Sequence, residues 1–140
     1  MSTVLVVEDD PIAGEMISGF VRAGGYQALL AHDGQAALVM LREHRIDVVL
    51  TDLAMPRLNG LRLIRTIRDS GDDIPIIALS GKNADQLDLA ENYGANASLA
   101  KPVEGPPLLE LLQRIMADSE TDWSNAWIHS EFGSVDRSLG

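Results

Sequence analysis

Three acidic residues in succession, Glu8, Asp9 and Asp10, follow the apolar run Val4–Val7, and a lone carboxylate, Asp52, follows the run Val48–Leu50. Ser80-Gly81 closes the run Ile74–Leu79, and Lys101-Pro102 closes Ala97–Ala100. Brought together, these would place several carboxylates, one hydroxyl and one ammonium in a single pocket. Two carboxylates about 4 Å apart repel by roughly 4 kcal/mol at an effective dielectric of 20. Such a cluster persists when it is protonated, paired with a cation or bridged by a metal. Carboxylates together with a backbone carbonyl suit Mg²⁺, which keeps several waters and favours phosphate-bearing substrates. A carboxylate can also act as a nucleophile and form an acyl phosphate. Ammonium, hydroxyl and backbone amides would then stabilise charge on a transferring phosphoryl group.

The elements that must position these residues alternate along the chain. Val4–Val7 reads as a strand covered on both faces. Pro11 fits a first helical turn, and Ile12, Met16, Ile17 and Phe20 mark a helical stripe that Gly24-Gly25 ends. Tyr26–Ala31 reads as a second strand, followed by a helix with Ala36, Ala37, Met40 and Leu41 on its apolar face. Val48–Leu50 is a third strand. A turn at Asn59-Gly60 precedes the helical spacing of Leu61, Ile64 and Ile67. Ile74–Leu79 is a fourth strand, Leu87–Ala90 belongs to a short helix, and Ala97–Ala100 is a fifth strand. Pro106-Pro107 opens a last helix carrying Leu108, Leu111, Leu112 and Ile115. Five such units predict an α/β fold, a doubly wound parallel sheet with helices on both faces and right-handed crossovers. In open α/β sheets, sites form beyond the carboxyl ends of the strands. All of the residues singled out above lie there.

Composition narrows the function further. The chain has 140 residues, and 21 acidic against 11 basic ones give a formal charge of −10. That length suits one domain, and 46% hydrophobic residues exclude wholesale disorder. The acidity argues against nucleic acid, whose phosphates need clustered Lys and Arg, and against an anionic membrane surface. There is no cysteine, hence no disulfide or thiolate metal site. The start lacks a basic region and a long apolar stretch, so a signal peptide and a membrane span are not expected, and a cytoplasmic location is. Residues 1–117 form the expected domain. Residues 118–140 read as an acidic tail carrying Trp123, Trp127 and Phe132.

Four motifs stand in order at the strand ends: Val-Glu-Asp-Asp-Pro, Thr51-Asp52-Leu-Ala-Met-Pro-Arg-Leu-Asn-Gly60, Ala-Leu-Ser80-Gly and Ala100-Lys101-Pro102. Over roughly residues 3 to 116 the chain resembles the receiver domain of two-component response regulators, a CheY-like family. The resemblance implies a flavodoxin-like fold with strand order 2-1-3-4-5. It also implies a single-domain signalling module, not a conventional enzyme, that promotes its own phosphorylation and dephosphorylation. Asp52 would be the phosphoacceptor, receiving the group from a phosphohistidine of a sensor histidine kinase or a histidine phosphotransfer protein. Asp9 and Asp10 would hold Mg²⁺, with Asp52 and the Ala54 backbone carbonyl completing the protein ligands. Lys101 would pair with Asp52 and then with the phosphoryl oxygens, Ser80 would hydrogen-bond the phosphoryl group, and Pro102 would follow a cis peptide bond. Pro56, Asn59 and Gly60 would shape the loop behind Asp52. A downstream protein and a homodimer are the remaining partners implied.

One position departs from the family. An aromatic residue commonly stands three before the lysine, and here it is Ser98, which puts coupling from Ser80 to the fourth helix and fifth strand in question. Ala54 and Lys82 occupy the positions two beyond Asp52 and Ser80. Simpler readings stand beside these. Asp9-Asp10 alone would read as a solvated helix start, Ser80 as a turn former and Lys101 as a surface charge. Arg57, Arg62, Arg65 and Arg68 read as a solvated helix face or a contact for an acidic partner. His32, His44 and His129 read as surface residues. Trp123, Trp127 and Ile128 fit either an amphipathic extension or a partner contact. A pseudo-receiver acting by constitutive protein binding is the rival function. A phosphohydrolase is disfavoured, because it would place a second acid two residues after the nucleophile, where Ala54 stands.

Overall fold

The computed structural model describes residues 1–55, 59–81 and 84–118, with the side chains of 84–88 and 118 outside that description. Of the features read from sequence, Pro56, Arg57, Lys82, His129 and the aromatic tail residues lie outside it. Five strands, β1 (Thr3–Val7), β2 (Gln27–Ala31), β3 (Val48–Asp52), β4 (Ile76–Ser80) and β5 (Ala97–Ala100), each precede one helix. The helices are α1 (Pro11–Ala23), α2 (Gly34–Glu43), α3 (Gly60–Asp69), α4 (Ala84–Tyr93) and α5 (Gly105–Asp118). All strand pairs are parallel, and the order is β2-β1-β3-β4-β5, the doubly wound sheet expected from the pattern.

The side-chain period of two explains why the central strands read as unbroken apolar runs. Val4 and Val6 of β1, with Val48 and Leu50 of β3, join Ile17 and Val21 of α1 and Leu108, Leu112 and Ile115 of α5 in one core. Leu5, Val7 and Val49 point the other way, into a second core with Leu63, Ile64 and Ile67 of α3. The sheet therefore separates two apolar layers, and both faces of β1, β3 and β4 are buried. The edge strands β2 and β5 are only partly covered.

Element boundaries shift where side chains capture backbone groups. β4 starts at Ile76 and not at Ile74, because the Ile74 N–H donates to Asp72 Oδ1 at 3.0 Å and Pro75 has no N–H to give. β3 continues through Thr51 and Asp52, so the carboxylate stands on the last residue of a central strand, opposite Leu79. Asn59-Gly60 opens α3 directly: Asn59 is its N-cap, and its Oδ1 accepts the Arg62 N–H at 2.9 Å. β2 starts at Gln27, while Tyr26 packs against the core beneath α1 and α5. No helix among the described residues is long and apolar enough to cross a membrane.

Candidate functional site

The carboxyl ends of β1, β3, β4 and β5 meet at one rim. β1 carries on for one further ladder bond, Glu8 N–H to the Ala31 carbonyl at 3.0 Å. That bond fixes the backbone as the chain leaves the sheet. Glu8 shares the alternation of Val4 and Val6, and its side chain is 1% exposed. Asp9 and Asp10 are both exposed. Asp10 is the N-cap of α1, and its Oδ1 accepts the Ile12 N–H at 3.1 Å. With Pro11 at the start of the helix, this cap stabilises the first turn by about 1 kcal/mol.

Asp52 is buried at the end of β3. Its Oδ1 accepts the Ala54 N–H at 3.4 Å and its Oδ2 lies 3.4 Å from Lys101 Nζ. The loop behind it closes on α3 through the Gly60 N–H, which donates to the Leu53 carbonyl at 3.0 Å. A Cβ on residue 60 would collide with the Asp52 carbonyl oxygen, so only glycine fits. Ser80 is buried on the last residue of β4, beside Ala100 in register. The Lys101 N–H donates to the Ser80 carbonyl at 2.8 Å, and the Lys101–Pro102 peptide is cis.

The cluster that forms is not the one the order of acids alone suggests. Glu8, Asp9 and Asp52 each bring a carboxylate oxygen within 4.8 Å of the others. Asp10, expected beside Asp9 in that set, lies outside this trio, and its Oδ1 accepts the Ile12 N–H as the helix cap. Glu8, which is not among the expected ligands, stands within it. Its Oε1 accepts Lys101 Nζ at 3.0 Å and its Oε2 accepts the Asp10 N–H at 3.3 Å. The signal for Glu8 was its parity with Val4 and Val6, which turns it inward while the next residue turns out.

Electrostatics follow from this packing. Burial pushes the Glu8 carboxyl above its ordinary range; the Lys101 hydrogen bond opposes that rise and the Asp52 charge adds to it. Burial works against the Lys101 charge, but the Glu8 hydrogen bond and the Asp52 and Glu8 carboxylates outweigh it, and its pKa rises. One ammonium thus serves two carboxylates, with Asp9 as a third nearby. The uncompensated negative charge and the all-oxygen donor set fit a hard divalent cation such as Mg²⁺.

The remaining candidates lie elsewhere. His32 and His44 are exposed. Arg62 and Arg65 are exposed on α3, and Arg65 pairs with Asp69 at 3.2 Å. Arg68 is no part of a solvated face: its guanidinium donates to the carbonyls of Gly94 (3.0 Å) and Asp72 (2.9 Å) and to Asn96 Oδ1 (2.8 Å). Ser98 is half-buried on β5, facing Ala78 in register.

Comparison with known proteins shows the family and the fold. The family model "Response regulator receiver domain" matches residues 4–113. The response regulator MprA of Mycobacterium avium is 39% identical over 115 residues, which cover 81% of this chain and 49% of MprA. The chain therefore spans about half the length of the curated relatives it matches. The chemotaxis protein CheY4 of Vibrio cholerae is 30% identical with a TM-score of 0.77, covering 82% of this chain and 98% of that one. TrrA of Thermotoga maritima, solved in complex with Mg²⁺-BeF, is 28% identical with a TM-score of 0.75, covering 82% and 99%.

Proposed function

Because the chain belongs to the response regulator receiver domain family, we propose that it is a phosphorylation-switched signalling module whose phosphoacceptor is Asp52. The observation that carries this reading is the placement of Asp52. It is a buried carboxylate on the last residue of a central strand, within 4.8 Å of two other carboxylates and 3.4 Å from Lys101. A carboxylate oxygen of Asp52 attacks the phosphorus of a phosphohistidine on a sensor histidine kinase or phosphotransfer protein. The new O–P bond forms as the P–N bond breaks, and the imidazole leaves with the electron pair. Lys101 neutralises charge on the phosphoryl oxygens, and the Ser80 hydroxyl, beside Lys101 through the β4–β5 pair, donates to one of them. Glu8, Asp9 and Asp52, with the Ala54 carbonyl, are the residues that would hold Mg²⁺, which supplies charge neutralisation in phosphoryl transfer. Asp10 serves the site by capping α1 and fixing the turn that carries Asp9.

We place this module in the cytoplasm, acting through protein partners, with no nucleic-acid contact of its own. Ser98 is the feature that favours the second reading, a pseudo-receiver with constitutive partner binding, since a serine cannot fill an aromatic switch slot. The two readings part at the labelling of the natural chain, and one variant tests Asp52. With acetyl phosphate and Mg²⁺, intact-mass spectrometry is expected to show one added phosphate on the natural chain and none on Asp52→Asn. Undiminished labelling of Asp52→Asn overturns the assignment of Asp52, and a natural chain that takes no label favours the pseudo-receiver.

A further inference from the structure

Both tryptophans of the chain, Trp123 and Trp127, stand in the stretch that follows α5, which ends at Asp118. The indole is highly buried on average in folded proteins, so this pair calls for a surface to pack on. The described residues offer one nearby. A groove of about 220 Å³ runs between β5 and α5, lined by Leu99, Pro107, Glu110, Leu111 and Arg114. We propose that this groove is the seat of the chain's own Trp123 side chain. The stretch after α5 then closes the β5–α5 face, and another protein reaches that face only by displacing it.

Size, chemistry and reach support this occupant. The groove is smaller than the roughly 300–1,000 Å³ of small-molecule sites, which suits one large side chain. Pro107, Glu110, Leu111 and Arg114 form a single stripe along α5 at i, i+3, i+4 and i+7 spacing. Leu111 is buried and Leu99 half-buried, giving an apolar floor, while Glu110 and Arg114, 3.8 Å apart, form a polar rim. Glu110 can accept the indole N–H, and the Arg114 guanidinium can stack on the ring face. Glu120 and Asp122, just before Trp123, bring negative charge toward Arg114. The groove on the α1 side of α5, beside Tyr26, Leu109 and Gln113, has no cation among its described lining residues. Leu111 and Arg114 lie seven and four residues before the end of α5, about 6–10 Å back along the axis. The five residues from Asp118 to Trp123 span up to about 17 Å when extended, enough to turn and return. So short a tether presents Trp123 at an effective concentration of about millimolar, which favours the chain's own indole over that of a second copy at micromolar protein.

Because both tryptophans follow α5, indole fluorescence of the full chain reports on this stretch alone. In Trp127→Phe, which leaves Trp123, emission is expected to be blue-shifted from that of the urea-unfolded chain and shielded from acrylamide quenching. In Trp123→Phe, which leaves Trp127, emission is expected to match the unfolded chain. Leu99→Lys, added to Trp127→Phe, puts a charge in the groove wall and is expected to abolish both the blue shift and the shielding, with circular dichroism showing the sheet and helices intact. Should Leu99→Lys fail to fold, Arg114→Glu at the exposed rim decides in its place, with the same loss expected. Exposed Trp123 in the folded chain overturns the proposal, as does shielding that belongs to Trp127. Shielding of Trp123 that survives the deciding groove variant overturns the groove as its seat. Shielding that fades on dilution overturns the intrachain contact and points to a second copy. None of these readouts uses a phosphoryl group or a metal, so the outcome stands apart from the functional reading of Asp52.

Discussion

Gly60 is the point where the backbone behind Asp52 and the first turn of α3 come closest. A methyl there would meet the Asp52 carbonyl oxygen and, at 2.7 Å, the Leu53 Cα, both of them backbone atoms that cannot swing aside. Gly60→Ala should therefore cost about 1–3 kcal/mol through overpacking and slow labelling of Asp52, read as a lower urea midpoint and a slower mass shift with acetyl phosphate. Gly19 offers the internal comparison. Nothing lies within 4 Å of a Cβ built on it, so Gly19→Ala in the interior of α1 should stabilise by roughly 0.5–1 kcal/mol and leave labelling unchanged. At this scale the sequence spoke unevenly. The candidates Asp52, Ser80 and Lys101 stood out because each closely follows an apolar run. Glu8 does so too and shares the parity of Val4 and Val6, but three acids in a row left the choice among them open. Which of them enters the pocket depends on where β1 stops and on the cap that Asp10 makes, and both are settled by backbone hydrogen bonds.

Elements are held in place by residues whose spacing says little about their role. Arg68 sits near the end of α3 and fastens it to the α4–β5 connection through Gly94 and Asn96, while Asn96 Oδ1 also accepts the N–H of Ile76 at the start of β4. Helical spacing grouped Arg68 with Arg62 and Arg65, but long-range partners at residues 94 and 96 could not be read from that spacing. Arg68→Ala should lower stability by about 1–3 kcal/mol, the cost of leaving half-buried acceptors unmatched, measured by urea unfolding. Arg68→Lys should not restore it, because a point-charge ammonium cannot reproduce a planar fork serving three acceptors. Labelling of Asp52 in Arg68→Ala should proceed as in the natural chain, since Arg68 and its partners lie at the opposite end of the strands. By contrast, the elements themselves were legible almost throughout. Continuous apolar runs marked β1, β3 and β4, and the cases that shifted, at Ile74 and Tyr26, are those where a side chain or a neighbouring turn took the backbone N–H.

For the whole molecule, acidity has a spatial meaning. The formal charge of −10 is not simply a solubility term, because part of it converges on Glu8, Asp9 and Asp52 with one ammonium to offset it. Mg²⁺ that binds the folded chain alone should raise its stability by about 2.7 kcal/mol at one hundred times the dissociation constant. This is read as a rise in melting temperature that excess chelator reverses. No rise at millimolar Mg²⁺ would count against a competent cation site. The sheet order was legible from the family resemblance, and the parallel alternation from apolar runs alone.

The two apolar layers carry a consequence for how changes in the core combine. Each strand residue answers to a single layer of helices, Val4 and Val6 to α1 and α5, Leu5 and Val7 to the opposite side. Changes well separated by the sheet need little mutual compensation. Substitutions in one layer are therefore expected to add to those in the other with little coupling, a separation that double-mutant cycles across the sheet would measure.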